Sequence, residues 1–250
     1  MTDAELTTRL HSNLLAFKHL QCERGLLRHL ALPGLEAFAL PSHPHEVHFQ
    51  QVLFAHAGAL DAHLPALTAF YRGLGIPRWR ITVLPGEPEA VRLLEAQGYR
   101  PSESLCAMGR GLEDVPAVSS DVPVVDVDAL GAVVGLNAEA YGEHWRDMLA
   151  SWERAPRPPV HAVVAREAGR GLACGVALDT EDLAGIYLVA TAPAARKRGL
   201  ASAVMQALLA GARARGRVAS ALHSTPSGHS VYLRLGYRDL GPWWHWVPGG

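Results

Sequence analysis

Apolar positions recur at helical intervals near the start of the chain. Leu6, Leu10, Leu14 and Phe17 fall on one face behind Thr2 and Glu5, which have capping-box spacing. This predicts a first helix to about Leu30 with a break near Gly25. Short strand-like runs follow at Gly34–Leu40 and Val47–Ala55, then a helix over Leu64–Gly73. Arg80–Leu84 reads as a strand, Pro88–Gln97 as a helix and Ser102–Gly109 as a further strand. The stretch Leu112–Pro123, with acidic residues, Pro116 and the Ser119-Ser120 pair, is the expected linker.

Beyond it the alternation restarts. Val122–Val127 predicts a strand and Leu130–Tyr141 a helix, with helical character continuing through Trp152 until Pro156, Pro158 and Pro159 end it. Val160–Ala165 and Leu172–Leu178 read as paired strands around a turn at Glu167–Gly171. The glycines of residues 169–175 have some likeness to a dinucleotide loop, but no helix pattern follows directly, so a hairpin is expected. Ile186–Thr191 predicts a strand, Arg198–Arg215 a long helix, Val218–His223 a strand, Gly228–Leu235 a short helix and Trp243–Val247 a last strand.

The halves echo one another at an offset of 138, obtained by laying Gly98 under Gly236 (236 − 98). Leu84 then meets Leu222, Pro88 meets Pro226, and Gly98-Tyr99-Arg100 meets Gly236-Tyr237-Arg238. The fold expected is therefore α/β (α+β), two copies of one unit, with a boundary that separates residues 1–115 from 116–250.

Composition narrows the function classes. The chain has 250 residues, 49% of them hydrophobic, and a mean hydropathy of +0.07, which suits packed cores and not disorder. A formal net charge of −1 offers no long-range attraction to nucleic acid or an anionic membrane, and neither partner is expected. No apolar run is long enough to predict a membrane span, and no signal peptide is evident at Met1-Thr2-Asp3. Cys22, Cys106 and Cys174 form no CxxC pair, as expected of a protein kept in a reducing cytoplasm. His43, His45 and His48 lack a nearby carboxylate or thiol cluster and read as a loop before a strand, so no metal is expected.

The run Val189–Ala201 carries the candidate chemistry. A strand ends near Thr191, a basic loop with Arg196, Lys197 and Arg198 follows, and a helix opens around Gly199, Leu200 and Ala201. Backbone N–H groups at a helix N-terminus converge on an anion, and small residues let phosphate oxygens approach the main chain. This segment resembles the central motif of the GNAT acetyltransferases, a strand, a Pro and then Arg/Gln-x-x-Gly-x-Gly/Ala, here Pro193 and Arg196 through Ala201. Tyr232, four residues before Gly236-Tyr237, reproduces a second spacing of the family.

The resemblance covers roughly residues 122–250 and implies an N-acetyltransferase that uses acetyl-CoA. It implies mixed, mostly antiparallel twisted sheets flanked by helices, and a V-shaped split between Ile186–Thr191 and Val218–His223. The pantetheine arm would lie there, bonded to the backbone of Val189 and Thr191. A backbone N–H near Val189 would polarise the thioester oxygen, and Tyr232 would protonate the departing thiolate. Thr225 stands where many relatives have Asn, so its contact with pantetheine is open. Glu143, His144 and His223 are candidates for the general base, with a water chain as the alternative. Tyr141, Trp145 and Trp152 are candidate walls of the acceptor pocket, beside Glu143 and His144.

The N-terminal copy has Gly58 at the place of Arg196, Asp61 at that of Gly199, His63 at that of Ala201 and Leu94 at that of Tyr232. It is expected to be a degenerate GNAT-like unit that binds no CoA and helps shape the acceptor cleft. The expected partner is a small-molecule or peptide amine, and the expected state a monomer or homodimer. A catalytically silent acyl-CoA-binding module is the alternative reading, since the phosphate loop serves both.

Overall fold

A computed structural model describes residues 1–153 and 159–249. Pro156 and Pro158, expected to end the helical region, lie outside the described residues. The chain forms two compact units: residues 21–106 with 241–250, and residues 1–20 with 107–240. One cut after residue 115 does not describe this arrangement. The first twenty residues pack with the C-terminal unit, and the last ten complete the N-terminal one.

Helix α1 (Asp3–Glu23) opens with the expected reciprocal capping box. Thr2 N–H donates to Glu5 Oε2 at 2.7 Å, and Glu5 N–H donates to Thr2 Oγ1 at 3.2 Å. The Thr2 N–H, and then the Thr2 hydroxyl, which donates to Glu5 Oε2 at 3.0 Å, hold the Glu5 pKa below its ordinary value. Leu6, Leu10, Leu14 and Phe17 are all buried, as their spacing predicts. The helix stops at Glu23, and the residues expected to continue it form strand β1 (Arg28–Leu32) after Gly25, whose φ is +70°.

In the N-terminal unit β1 pairs antiparallel with β2 (Leu35–Ala39), and β2 with β3 (Gln51–Phe54). The strand expected over Val47–Ala55 is thus shorter, because Val47–Phe49 form a 3-10 turn. Helix α2 (Ala57–Gly73) starts seven residues (64 − 57) before its expected start and contains Pro65. The parallel strand β4 (Arg80–Val83) follows, then α3 (Pro88–Ala96) and β5 (Tyr99–Gly111). Tyr71, Trp79, Ile81, Leu94 and Trp246 share the core of this unit.

After an irregular stretch from Leu112 to Pro123, the C-terminal unit continues with β6 (Val124–Asp126), α4 (Gly131–Tyr141) and α5 (His144–Leu149). Gly142, at φ +114°, divides the helical region that the sequence reads as continuous. Strands β7 (His161–Glu167) and β8 (Arg170–Thr180) form the expected hairpin. Its two turn residues, Ala168 and Gly169, have φ of 48° and 80°, as a type I′ turn requires. Strand β9 (Leu183–Thr191) pairs antiparallel with β8 and parallel with β10 (Ala219–Ser224). Helix α6 (Leu200–Ala214) joins β9 to β10, and α7 (Pro226–Arg234) leads to β11 (Arg238–Pro248).

The offset of 138 recurs in the observed elements. It lays Pro88–Ala96 of α3 on Pro226–Arg234 of α7 without remainder, and β4 and β10 both run parallel to the strand before the preceding helix. The C-terminal segment of β11 pairs with β4, through Trp244 with Val83 and Trp246 with Ile81, which accounts for its place in the N-terminal unit.

Candidate active site

The centre of the C-terminal unit is β9. Its parallel pairing with β10 runs from Leu183 with Ala219 to Ile186 with Leu222 and then stops, while β9 continues for five residues, Tyr187–Thr191. The two strands part at their C-terminal ends, and the helices that follow them, α6 and α7, both begin at this end. On its other side β9 carries a bulge. Cys174 pairs with Ala190 and Val176 with Tyr187, so Leu188 and Val189 together oppose the single residue Gly175. Leu188 has φ +53°, a left-handed conformation that a leucine adopts only when its surroundings hold it there.

Gly175 lets α6 come close. A Cβ at Gly175 would meet Leu208 Cδ1 at 2.9 Å and Val204 Cγ1 at 3.1 Å. Leu200, Ala203, Val204, Leu208 and Ala212 form the buried face of α6, so the Leu200 side chain belongs to the core. Only its backbone is available to a ligand.

Eight residues, 192–199, join β9 to α6. A 3-10 turn at Pro193–Ala195 is followed by Lys197 at φ +63° and by Gly199 at φ +76°, which caps the helix. These two left-handed residues explain why the helix begins at Leu200 and not at Arg198. Ala203 N–H is the donor that reaches Gly199 O, at 3.1 Å, so the N–H groups of Leu200, Ala201 and Ser202 precede the first helical bond. Arg196, Lys197, Arg198 and Gly199 are exposed, and Ala201 is half-buried. Arg198 forms a bidentate pair with Glu167 at 2.6 and 3.2 Å, which lowers the Glu167 pKa and raises that of Arg198. Arg196 Nη2 donates to Ala140 O at 3.4 Å.

Helix α7 starts with Pro226 at its first position behind Thr225. Thr225 is exposed, and its Oγ1 lies 3.1 Å from Ser227 Oγ. The far end is a Schellman motif: Tyr237 N–H donates to Tyr232 O at 3.1 Å and Gly236 N–H to Leu233 O at 3.0 Å, with Gly236 at φ +82°. Tyr237 is buried, and its hydroxyl lies 2.7 Å from Ser220 Oγ on β10. The half-buried Tyr232 packs edge-on against Tyr237, with centroids 5.9 Å apart, and over Gly228, where a Cβ would lie 3.0 Å from Tyr232 Cε2. Burial, and secondarily Tyr141, push the Tyr232 pKa well above its ordinary value, so the phenol keeps its proton at neutral pH.

The other sequence-predicted residues divide sharply. Tyr141, at the end of α4, donates its hydroxyl to Val189 O at 2.7 Å. His223 is half-buried and directly follows Leu222, the last residue of β10 paired with β9. Glu143 is ion-paired with Arg146 at 2.9 Å, and His144 lies against Trp145 with ring centroids 6.2 Å apart. Trp152 is a core residue, buried against Phe17 of α1 at 5.6 Å, and not a pocket wall. Thr191 pairs with Ala173 of β8. Sequence reasoning missed Asn137, which is fully buried on α4 and donates to Leu188 O at 3.2 Å. An Asn among the apolar residues of Val133–Ala138 was the available signal.

The N-terminal copy is built differently where the phosphate loop would lie. Two residues, Ala55 and His56, join β3 to α2, against eight in the C-terminal unit. His56 Nδ1 accepts from Ala59 N–H at 3.1 Å, so a side chain occupies the helix N-terminus. Leu94, at the place of Tyr232, is wholly buried in the core. Of the nearby histidines, His43 bonds Ser42 at 3.0 Å, and His48 shares Glu103 with Arg80, each at 3.2 Å. Burial and then Arg80 lower the His48 pKa.

Comparison with known proteins places this architecture. Residues 158–239 match the family model of the acetyltransferase (GNAT) domain. The fold is similar to that of a GCN5-related N-acetyltransferase from Kribbella flavida, with a TM-score of 0.71, 16% identity and 95% of each chain covered. A GCN5-related N-acetyltransferase from Sphaerobacter thermophilus matches with a TM-score of 0.61 and 19% identity, over 87% of this chain and 78% of that one. A tandem GNAT protein from the clavulanic acid biosynthesis pathway matches with a TM-score of 0.57 and 17% identity, over 85% of this chain and 77% of that one. No curated protein sequence matches the chain. Residues 158–239 thus match the acetyltransferase (GNAT) domain, and nearly the whole length of the chain takes the fold of GCN5-related N-acetyltransferases.

Proposed function

We propose that the C-terminal unit transfers an acetyl group from acetyl-CoA to a primary amine of a small molecule or peptide, by direct attack in a ternary complex. The observation that carries this reading is the parting of β9 from β10 beyond Ile186 and Leu222, beside the loop that opens α6. The diphosphate binds the N–H groups of Gly199, Leu200 and Ala201, with Arg196, Lys197 and Arg198 at the rim. Pantetheine pairs with the backbone of Val189 and Thr191, and Thr225 borders the arm.

The amine nitrogen attacks the thioester carbonyl carbon, and the oxygen gathers negative charge beside the Val189 N–H. As the carbon–sulfur bond breaks, the thiolate takes the proton of Tyr232. The amine proton leaves to His223 or to water. Glu143 and His144, with the aromatic faces of Tyr141 and Trp145, border the acceptor. The N-terminal unit binds no CoA, because His56 blocks its helix N-terminus and Asp61 adds a carboxylate near it.

The test is thiol release from acetyl-CoA across a panel of amines, aminoglycosides and peptides. One acceptor class should accelerate release well above hydrolysis. Acetyl-CoA binding without release for any acceptor would favour the silent acyl-CoA-binding module instead.

A further inference from the structure

Two consecutive carbonyls of the β9 bulge are held by side chains one helical turn apart on α4. Asn137 Nδ2 donates to Leu188 O at 3.2 Å, and Tyr141 Oη donates to Val189 O at 2.7 Å. Residues four apart lie on one face of a helix, so α4 presents both donors together. The buried Cys174 thiol adds a weak contact to Leu188 O at 3.5 Å, and burial pushes its pKa up to about 12, so it stays a thiol.

Asn137 is an expensive choice at this place. It is fully buried, its Nδ2 is shared among Leu188 O, Val133 O at 2.9 Å and Cys174 Sγ at 3.6 Å, and its Oδ1 has no partner among the described residues. A leucine of similar size would avoid burying an unmet acceptor. Its three acceptors also fix which end of the amide faces the bulge.

We propose that Asn137 and Tyr141 are positioning residues that lock the β9 bulge for acyl transfer. In a trans peptide the carbonyl and the following N–H point in opposite directions. By holding Leu188 O toward α4, Asn137 holds the Val189 N–H facing away from it, for the thioester oxygen. Tyr141 fixes the next peptide plane, so Val189 is clamped on both sides. The left-handed Leu188 is maintained by this clamp. Tyr141 therefore acts through the backbone of β9 in addition to bordering the acceptor. This inference rests on the acetyl-transfer reading above.

The test compares the full-length wild-type chain with Tyr141→Phe and Asn137→Leu. The amide signal of Val189 is followed by nuclear magnetic resonance with acetyl-CoA and with CoA, which lacks the carbonyl. In the wild type the Val189 proton should move downfield with acetyl-CoA only. Both variants should lose that difference, and thiol release at saturating acetyl-CoA should slow by about 10- to 100-fold while acetyl-CoA affinity is retained. Tyr141→Phe keeps the ring at a half-exposed site, so it carries the test should Asn137→Leu fold poorly. Variants that keep the wild-type shift and rate overturn the clamp alone, as does a rate loss matched by lost affinity. A wild-type chain that binds no acetyl-CoA overturns the acetyl-transfer reading itself.

Discussion

Tyr232→Phe should slow thiol release from acetyl-CoA by about 10²–10⁴-fold, the usual worth of a positioned proton donor. The substitution removes the one proton that the phenol can supply and leaves its packing in place. The ring still meets Tyr237 edge-on and still lies over Gly228. Its hydroxyl makes no hydrogen bond among the described residues, so stability should change little. Because burial raises the Tyr232 pKa, the acid form is present below pH 10, and the wild-type rate should not fall between pH 7 and 9 for want of this proton. Residual activity is expected, since water can replace the donor in part. Wild-type turnover in the variant, measured where chemistry limits the rate, would remove Tyr232 from the mechanism. Lost stability with an unchanged rate would make it a packing residue.

The second large effect concerns the α6 loop. Acetyl-CoA at a hundred times its Kd should stabilise the chain by about 2.7 kcal/mol, seen as a rise in melting temperature. Gly199→Glu should abolish that rise by setting a carboxylate where the diphosphate binds. Strain must be separated from charge, because Gly199 has φ +76° and any L-residue is disfavoured there. Gly199→Ala serves this purpose, since a Cβ at that position meets nothing within 4 Å. The alanine variant should melt lower, by about 1–2 kcal/mol of stability, yet keep the acetyl-CoA shift. A glutamate variant that still shows the full shift would exclude the loop from the site.

Much of this was legible in the sequence, and the reasons differ from element to element. The capping box at Thr2 and Glu5 and the hairpin turn within Glu167–Gly171 are local signals, and the structure reproduces both, whereas α7 starts at Pro226, two residues before its expected start at Gly228. The Tyr-x-x-x-Gly-aromatic spacing is legible for a physical reason: it is a helix terminus, with Tyr232 third from the end, Gly236 left-handed and Tyr237 closing the last turn. Part of the same stop recurs after α3, where Gly98 is left-handed at φ +76° and its N–H donates to Glu95 O at 3.0 Å. The spacing therefore marks a fold, and the Tyr232 hydroxyl alone distinguishes chemistry from packing.

Other features depend on contacts that no local pattern holds. The bulge at Leu188 exists because β8 and β9 differ by one residue between two paired positions, and its clamp comes from a helix some fifty residues earlier (188 − 137 = 51). The exchange of termini between units is equally non-local, since Trp244 and Trp246 find partners in Val83 and Ile81. Helix α2 starts before its expected Leu64, and Pro65 lies inside it as its ninth residue.

Calorimetric titration of the full-length chain with acetyl-CoA tests whether the two copies differ in binding. One loop offers free helix N–H groups beside Lys197, whereas the other is two residues long and capped by His56. One acetyl-CoA should bind per chain, and Gly199→Glu should lose that site. Two sites of similar affinity, or no binding at all, would contradict it.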